Sequence, residues 1–251
     1  MPSVDGVLLD RAIGQRAKEL LSQKISVIHA PGGYGKTTTL VQWAAQLRAS
    51  GALTAWLSLD EYDTDPSRIL GYLAAALSHA GIALPSNLEA QIDRGLSNTE
   101  ITHAALTNAA GADGRAIALF VDDHHHIDDS SPVATMLARF IKAAPSNLHF
   151  IISSRERPAA LIGRNTPKAR VLEFTMDDLR FNRTELKDFL KQAGVAAIDN
   201  SGLKTLHFAS EGWVAGLKLA ISGGEGDLER MKAILEHNRA GIEDFFAYDV
   251  F

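Results

Sequence analysis

The sequence predicts an α/β protein, a parallel sheet covered by helices on both faces, followed by a small all-helical domain. Three observations predict it. Short, nearly continuous apolar runs alternate with helix-period segments through the first two-thirds of the 251 residues. Strands buried on both faces read as such runs, and parallel neighbours need helical crossovers between them. A glycine-rich run follows the first strand and opens a helix, and after Asp178 strand signals stop while helical ones continue. Residues 1–178 and 179–251 are therefore the two expected domains.

The elements follow in order. The β-branched run 25–29 reads as the first strand. Residues 38–49 carry Leu40, Trp43, Ala44 and Leu47 at helical spacing, and 53–59 form a second buried strand. The acidic stretch 60–66 is a loop in which Pro66 starts a helix with Ile69, Leu70, Leu73, Ala76 and Leu77 on one face. Helices are expected near 87–95 and 99–110, a third strand at 116–121, a helix at 132–143, a fourth strand at 148–153 and a fifth at 171–174. Asn182 and Glu185 stand as a capping box before a helix bearing Leu186, Phe189 and Leu190. Further helices are expected near 203–210, 213–222, 228–237 and from 242 onward, with the glycine-rich 223–226 as a turn.

The run Ala30-Pro31-Gly32-Gly33-Tyr34-Gly35-Lys36-Thr37, with Thr38 after it, is the most informative segment. It matches G-x-x-x-x-G-K-[ST], with Ala30 in place of the first glycine. Glycines let backbone N–H groups turn inward around a polyphosphate, and the following helix directs its positive end at the anion. Lys36 supplies a point charge for the β- and γ-phosphates, and the Thr37 hydroxyl is a ligand for Mg²⁺. The context of strand, loop and helix makes the sheet a P-loop NTPase sheet and the chain a nucleotide binder.

Other candidates follow strand ends. Asp122 ends an apolar run, where it would hold Mg²⁺ through water opposite Thr37; Asp123 stands where a carboxylate polarises the attacking water. For His124-His125-His126, a shared metal ion needs a tight turn, since neighbouring side chains diverge. A coupling role near the γ-phosphate falls to His125, and ordinary loop packing is the alternative. Arg155, after the fourth strand, is placed to sense the γ-phosphate, with Arg157 and Arg164 as weaker candidates. Trp213 is read either as packing beside the adenine or as a core tryptophan at a helix start.

Composition bounds the rest. There is no cysteine, which excludes disulfides and thiolate-bound zinc. No signal peptide is evident at the first residues, and no apolar run approaches the ~20 residues that span a bilayer. The expected location is the cytoplasm, away from a membrane. A net charge of -5 and a pI of about 6.0 argue against a broad nucleic-acid surface.

The ordered motifs resemble one family. Pro31 to Thr38 with Gln42-Trp43, then residues 56–61, Asp65-Pro66 and Arg68, resemble the large LuxR-type, MalT-like transcriptional regulators of the STAND class of P-loop ATPases. Residues 121–125, Ser153-Ser154-Arg155 with Pro158, Leu179-Arg180-Phe181 with Glu185 and Phe189-Leu190, and residues 211–220 continue the match, which covers about residues 20–247. The resemblance implies a five-stranded core with the Ser153 strand between the P-loop and Asp122 strands, bringing Arg155 near the γ-phosphate. It implies an ATP/ADP switch that hydrolyses slowly, with self-association in the ATP state; the alternative is a motor or remodelling P-loop ATPase. Adenine, rather than guanine, comes from the resemblance alone. Where related switches often carry proline after glycine, this chain has Gly212-Trp213-Val214, which leaves the adenine contact open. The family continues into winged-helix, sensor and helix-turn-helix domains, and residues 247–251 read as the start of a next element. The chain is thus expected to be a piece of a longer protein, with DNA binding only through a C-terminal domain outside it.

Overall fold

The computed structural model describes residues 9, 11–88, 99–163, 171–195, 198–224 and 226–245, with side chains described as far as His237. Five parallel strands, β1 (Ile25–His29), β2 (Leu53–Ser58), β3 (Ile117–Asp122), β4 (Leu148–Ser154) and β5 (Leu172–Phe174), lie in the order β2-β3-β4-β1-β5. The Ser153 strand does lie between the P-loop strand and the Asp122 strand. Since every strand runs the same way, the segments after β1, β3 and β4 emerge along one edge of the sheet, where ligands of open α/β sheets bind.

The two-residue period of the strands builds two cores. On β3, Ile117, Leu119 and Val121 enter one cluster, while Ala118 and Phe120 enter the other. On β4, Phe150 and Ile152 face the first and Ile151 the second. The first face is covered by α2 (Pro66–His79), α3 (Thr99–Asp113) and α4 (Pro132–Ala143), through residues such as Leu73, Leu106 and Phe140. The second is covered by α1 (Lys36–Ala49) and a 3₁₀ segment (Gly14–Ser22), through Leu40, Trp43, Leu47 and Leu20. Trp43 packs on Phe174 with ring centroids 4.7 Å apart and donates its indole N–H to the Ile13 carbonyl at 2.8 Å.

Local chemistry sets several boundaries. Asp65 caps α2 by accepting from the Ser67 N–H at 2.8 Å, with Pro66 at its first turn. Two short helices, α5 (Ala159–Ile162) and α6 (Met176–Leu179), have no strong periodic signal in the sequence. Asn182 accepts from the N–H groups of Thr184 and Glu185, and Glu185 accepts from the Asn182 N–H, so the capping box opens α7 (Arg183–Gln192).

Among the described residues after Asp178 there is no strand. There α7, α8 (Asn200–Ser210), α9 (Val214–Gly224) and α10 (Leu228–Phe245) share a third core of Leu186, Phe189, Leu206, Leu217 and Met231, which Leu9 joins from the other end of the chain. Two expectations are corrected. Gly223 and Gly224 belong to α9 rather than to a turn, because Gly224 lies where a Cβ would meet Met231 Cγ at 2.3 Å, so the bare backbone packs on α10. The two last expected helices are one continuous helix. Most of the expected 87–95 helix, and residues 247–251, lie outside the described residues.

Candidate nucleotide site

The loop between β1 and α1 wraps in the way its glycines allow. Gly33 and Gly35 have φ of 76° and 81°, the left-handed region where other residues are strained. Gly35 is the N-cap of α1, so the helix begins directly at Lys36. Lys36 is buried, and its ammonium donates to the Ala30 carbonyl at 2.8 Å and the Pro31 carbonyl at 3.1 Å. Burial pulls its pKa down to about 8, with Arg155 lowering it further and Asp123 and Asp122 opposing. Those electrostatic partners show which groups surround the ammonium.

Asp122 and Asp123 are handled differently. Asp122 is 2% exposed and accepts from the hydroxyls of Ser153 and Thr37. Burial, with the neighbouring Asp123 charge, raises its pKa. Asp123 is the first residue outside β3 and adopts a left-handed conformation, φ 57°. Its N–H donates to Ser153 Oγ at 3.0 Å, so Ser153 bridges the two aspartates' positions. A single 3₁₀ turn follows, His124–His126. It sets His125 Nδ1 3.8 Å from Asp123 Oδ1 and brings the His125 and His126 rings together at a tilt, centroids 4.3 Å apart. His124 is buried, which lowers its pKa. The His125 pKa is lowered to about 3, by burial first and then by the electrostatic influence of His126, Arg155, Lys36 and His124.

Arg155 is half-buried after β4 and lies close enough to Lys36 and His125 to influence both. Arg157 is turned away into an ion pair with Glu173 at 2.8 Å, and Arg164 lies outside the described residues. Tyr34 packs at the margin of the second core, and Thr38 is half-buried in the first turn of α1. Thr37 and Asp122, a hydroxyl and a carboxylate already in contact, are a donor set suited to Mg²⁺. Among the described residues no three His, Asp or Glu side chains converge as a metal cluster.

The structure brings Trp213 to the phosphate loop itself. Its indole N–H donates to the Gly32 carbonyl at 3.2 Å, and the Ala215 N–H donates to the Gly33 carbonyl at 3.0 Å. A Cβ on Gly33 would lie 2.6 Å from Ala215 Cβ and 2.7 Å from Trp213 Nε1. Sequence reading assigned Gly33 to phosphate contact and missed this close approach. It also missed Arg11, which forms an ion pair with Glu185 at 2.9 Å, donates to the Leu179 and Arg180 carbonyls and lies over the Phe181 ring. Some 174 residues separate Arg11 from Glu185, so no local pattern signals the pair.

Taken together, a parallel sheet with a glycine loop before a buried lysine and an aspartate on the strand beyond its neighbour defines a P-loop ATPase fold. Solved structures agree. An ORC1 protein of Aeropyrum pernix in complex with DNA matches with TM-score 0.51 and 14% identity, over 94% of this chain and 66% of that one. CDC6P of Pyrobaculum aerophilum matches with TM-score 0.52 and 16% identity, over 96% and 65%. AMPPCP-bound DnaA from Aquifex aeolicus matches with TM-score 0.50 and 14% identity, over 93% and 67%. At such identities the likeness is one of fold.

Sequence relatives narrow the class. The HTH-type transcriptional regulator MalT of Yersinia pestis (strain Pestoides F) is 30% identical over 233 residues, 90% of this chain and 25% of that protein. The serine/threonine-protein kinase PknK of Mycobacterium tuberculosis (strain ATCC 25618 / H37Rv) is 26% identical over 231 residues, 91% of this chain and 21% of that protein. No family model matches the chain. The resemblance to MalT-like ATPases that the motifs carry is thus borne out over nine-tenths of the chain, which spans about a fifth to a quarter of the length of these relatives.

Proposed function

We propose that this chain is an ATP/ADP-binding switch module of a signal-responsive transcriptional regulator, with slow hydrolysis of ATP. One observation carries the reading. The loop that would cradle the phosphates is bonded to the helical segment through Trp213 and Ala215, while Asp122, Asp123 and Arg155 gather around Lys36. A change in what the loop holds is therefore felt by the helices, which is what a switch needs. The same bonds make a helical domain beginning near residue 179 the natural moving part.

In this reading Lys36 leaves the Ala30 and Pro31 carbonyls for the β- and γ-phosphates. Thr37 and Asp122 would hold Mg²⁺, which would neutralise phosphate charge there. Asp123 orients water against the γ-phosphate, and Arg155 contacts that phosphate. Self-association in the ATP state, a regulator's DNA contact through a separate module, and a cytoplasmic setting belong to the proposal. They rest on the MalT likeness. No helix among the described residues is long and apolar enough to cross a membrane.

Two measurements test it. Denaturing the purified protein and chromatographing what it releases should yield stoichiometric ADP, the resting ligand of a switch. Turnover should fall well below the ~1–10³ s⁻¹ usual for enzymes. Turnover inside that range would favour a motor, and a protein that neither carries nor binds nucleotide would end both readings.

A further inference from the structure

The sheet is left open at β2. Among the described residues β2 has a strand neighbour, β3, on one side only. The Leu53 N–H donates to the Ala116 carbonyl and the Leu59 N–H to the Asp122 carbonyl. Alternate residues of a parallel strand bond the same neighbour, so Leu53, Ala55, Leu57 and Leu59 serve β3. The N–H and C=O groups of Thr54, Trp56 and Ser58 therefore point away from the sheet. A groove of about 650 Å³ runs beside them, and all five residues from Thr54 to Ser58 line it. Successive strand side chains lie on opposite faces, so what the five share with the groove is the backbone edge. Such a row of unpaired groups is a template for another strand, and native proteins ordinarily cover or blunt it.

The walls of the groove say which strand fits. Asp60 and Asp63 line it where β2 finishes. The helix α2 runs back from that loop, so His79 at its last turn lies toward the start of β2, where Arg48 of α1 also stands. Arg48 is exposed and donates to the Thr54 hydroxyl at 2.7 Å, while Asp60 accepts from the Tyr62 N–H at 2.8 Å. Among the described residues neither Arg48 nor Asp60 is in an ion pair. Trp56, Tyr72, Ala75 and Ala76 line the groove between these ends. Tyr and Trp are enriched at protein interfaces, and small alanines let a partner approach closely. The groove is thus positive at one end and negative at the other, and its complement is a strand with the same two charges in reverse order.

We propose that this edge joins two copies of the chain, β2 pairing antiparallel with β2 about a two-fold axis at Trp56. Thr54 then faces Ser58 of the second copy, and the outward N–H and C=O groups of all three residues meet in register. The same two-fold axis brings Arg48 of each copy beside Asp60 of the other. An isologous contact needs a patch that complements itself, and this edge does so in both hydrogen bonding and charge. No residue of the phosphate site takes part. The pairing is therefore separate from self-association in the ATP state, and it does not rest on the nucleotide-binding reading.

The test is sedimentation of the whole chain, free of nucleotide, over a wide range of concentration. A reversible monomer–dimer equilibrium is expected. Arg48→Glu and Asp60→Arg each set like charges together across the axis, and each should weaken dimerisation about tenfold, equivalent to about 1.4 kcal/mol. An equimolar mixture of the two variants should recover it, because each then meets the opposite charge on the other. Recovery also shows that both variants have folded. Hydrogen exchange should show the amides of Thr54, Trp56 and Ser58 protected in the dimer and open in the monomer. A monomer at every concentration would overturn the proposal and leave the edge to an extended segment of another protein. A dimer that needs AMPPCP and Mg²⁺, that ignores both charge changes, or that leaves those three amides unprotected would overturn it too, as would a mixture no more dimeric than its components.

Discussion

The phosphate loop and the Asp123–His126 turn stand at ends of the same parallel sheet, yet their polar groups are finished in opposite ways. In the loop, the carbonyls of Ala30 and Pro31 take Lys36, the Gly32 carbonyl takes Trp213, and the Gly33 carbonyl takes the Ala215 N–H. In the turn, His124 Nε2 and both nitrogens of His125 are buried without partners. A buried polar atom left unpaired costs about 1–3 kcal/mol, so the turn carries a deficit that the loop does not. The difference is one of completion: the loop's carbonyls are satisfied within the chain, and the imidazoles of the turn are not.

The sharpest way to break the contrast is at Lys36. Lys36→Ala removes the loop's placed cation and should abolish measurable ATP and ADP binding by calorimetry; wild-type-like affinity would refute the site. Asp123→Asn acts on the turn instead. It should preserve nucleotide affinity while slowing hydrolysis by about 10²-fold or more, the scale of a lost general base. Unchanged turnover would move that role to another residue.

Two glycines sharpen the loop side. Gly33 and Gly35 share a left-handed backbone, but a Cβ on Gly33 collides with Ala215 and Trp213, whereas a Cβ on Gly35 meets nothing within 4 Å. Gly35→Ala should therefore cost only backbone strain, about 1–2 kcal/mol in nucleotide-free protein. Gly33→Ala should cost more, adding about 1–3 kcal/mol of overpacking, and should also loosen the helices from the loop. Denaturant melts of the two variants check the order, and equal losses would show that the Trp213 and Ala215 contacts contribute little.

The smallest effect is in pH. Lys36 has its pKa lowered from 10.5 to about 8 in the folded, nucleotide-free chain. Between those values the unfolded chain binds more protons at this site than the folded one, so stability should rise with pH across that window. Nucleotide affinity should move the other way, falling above pH 8 because the phosphates need the ammonium. Calorimetry in buffers of different ionisation enthalpy should register proton uptake on binding above pH 8; its absence would assign the titration elsewhere.

Much of the fold is legible because its causes are local. The strands of the sheet are apolar runs, Asn182 and Asp65 cap helices through side chains two or three residues from their partners, and the Gly35-Lys36-Thr37 step announces where α1 begins. The carboxylates of Asp122 and Asp123 are legible for the same reason, since they are adjacent residues at the C-terminal end of an apolar strand. Short helices such as α5 and α6 were not, because four residues are too few to display a helical period.

By itself, then, the sequence determined the parallel sheet, the glycine loop with Lys36 and Thr37, and the aspartate pair at the end of β3. Each depends on residue types at short spacing, where backbone geometry leaves few alternatives. The three-dimensional packing alone decided that Trp213 and Ala215 bond to carbonyls of that loop, that Arg11 reaches Glu185, and that His125 is enclosed with its nitrogens unpaired. Those contacts join segments up to 181 residues apart, and they exist only once burial of the three cores has brought the segments together.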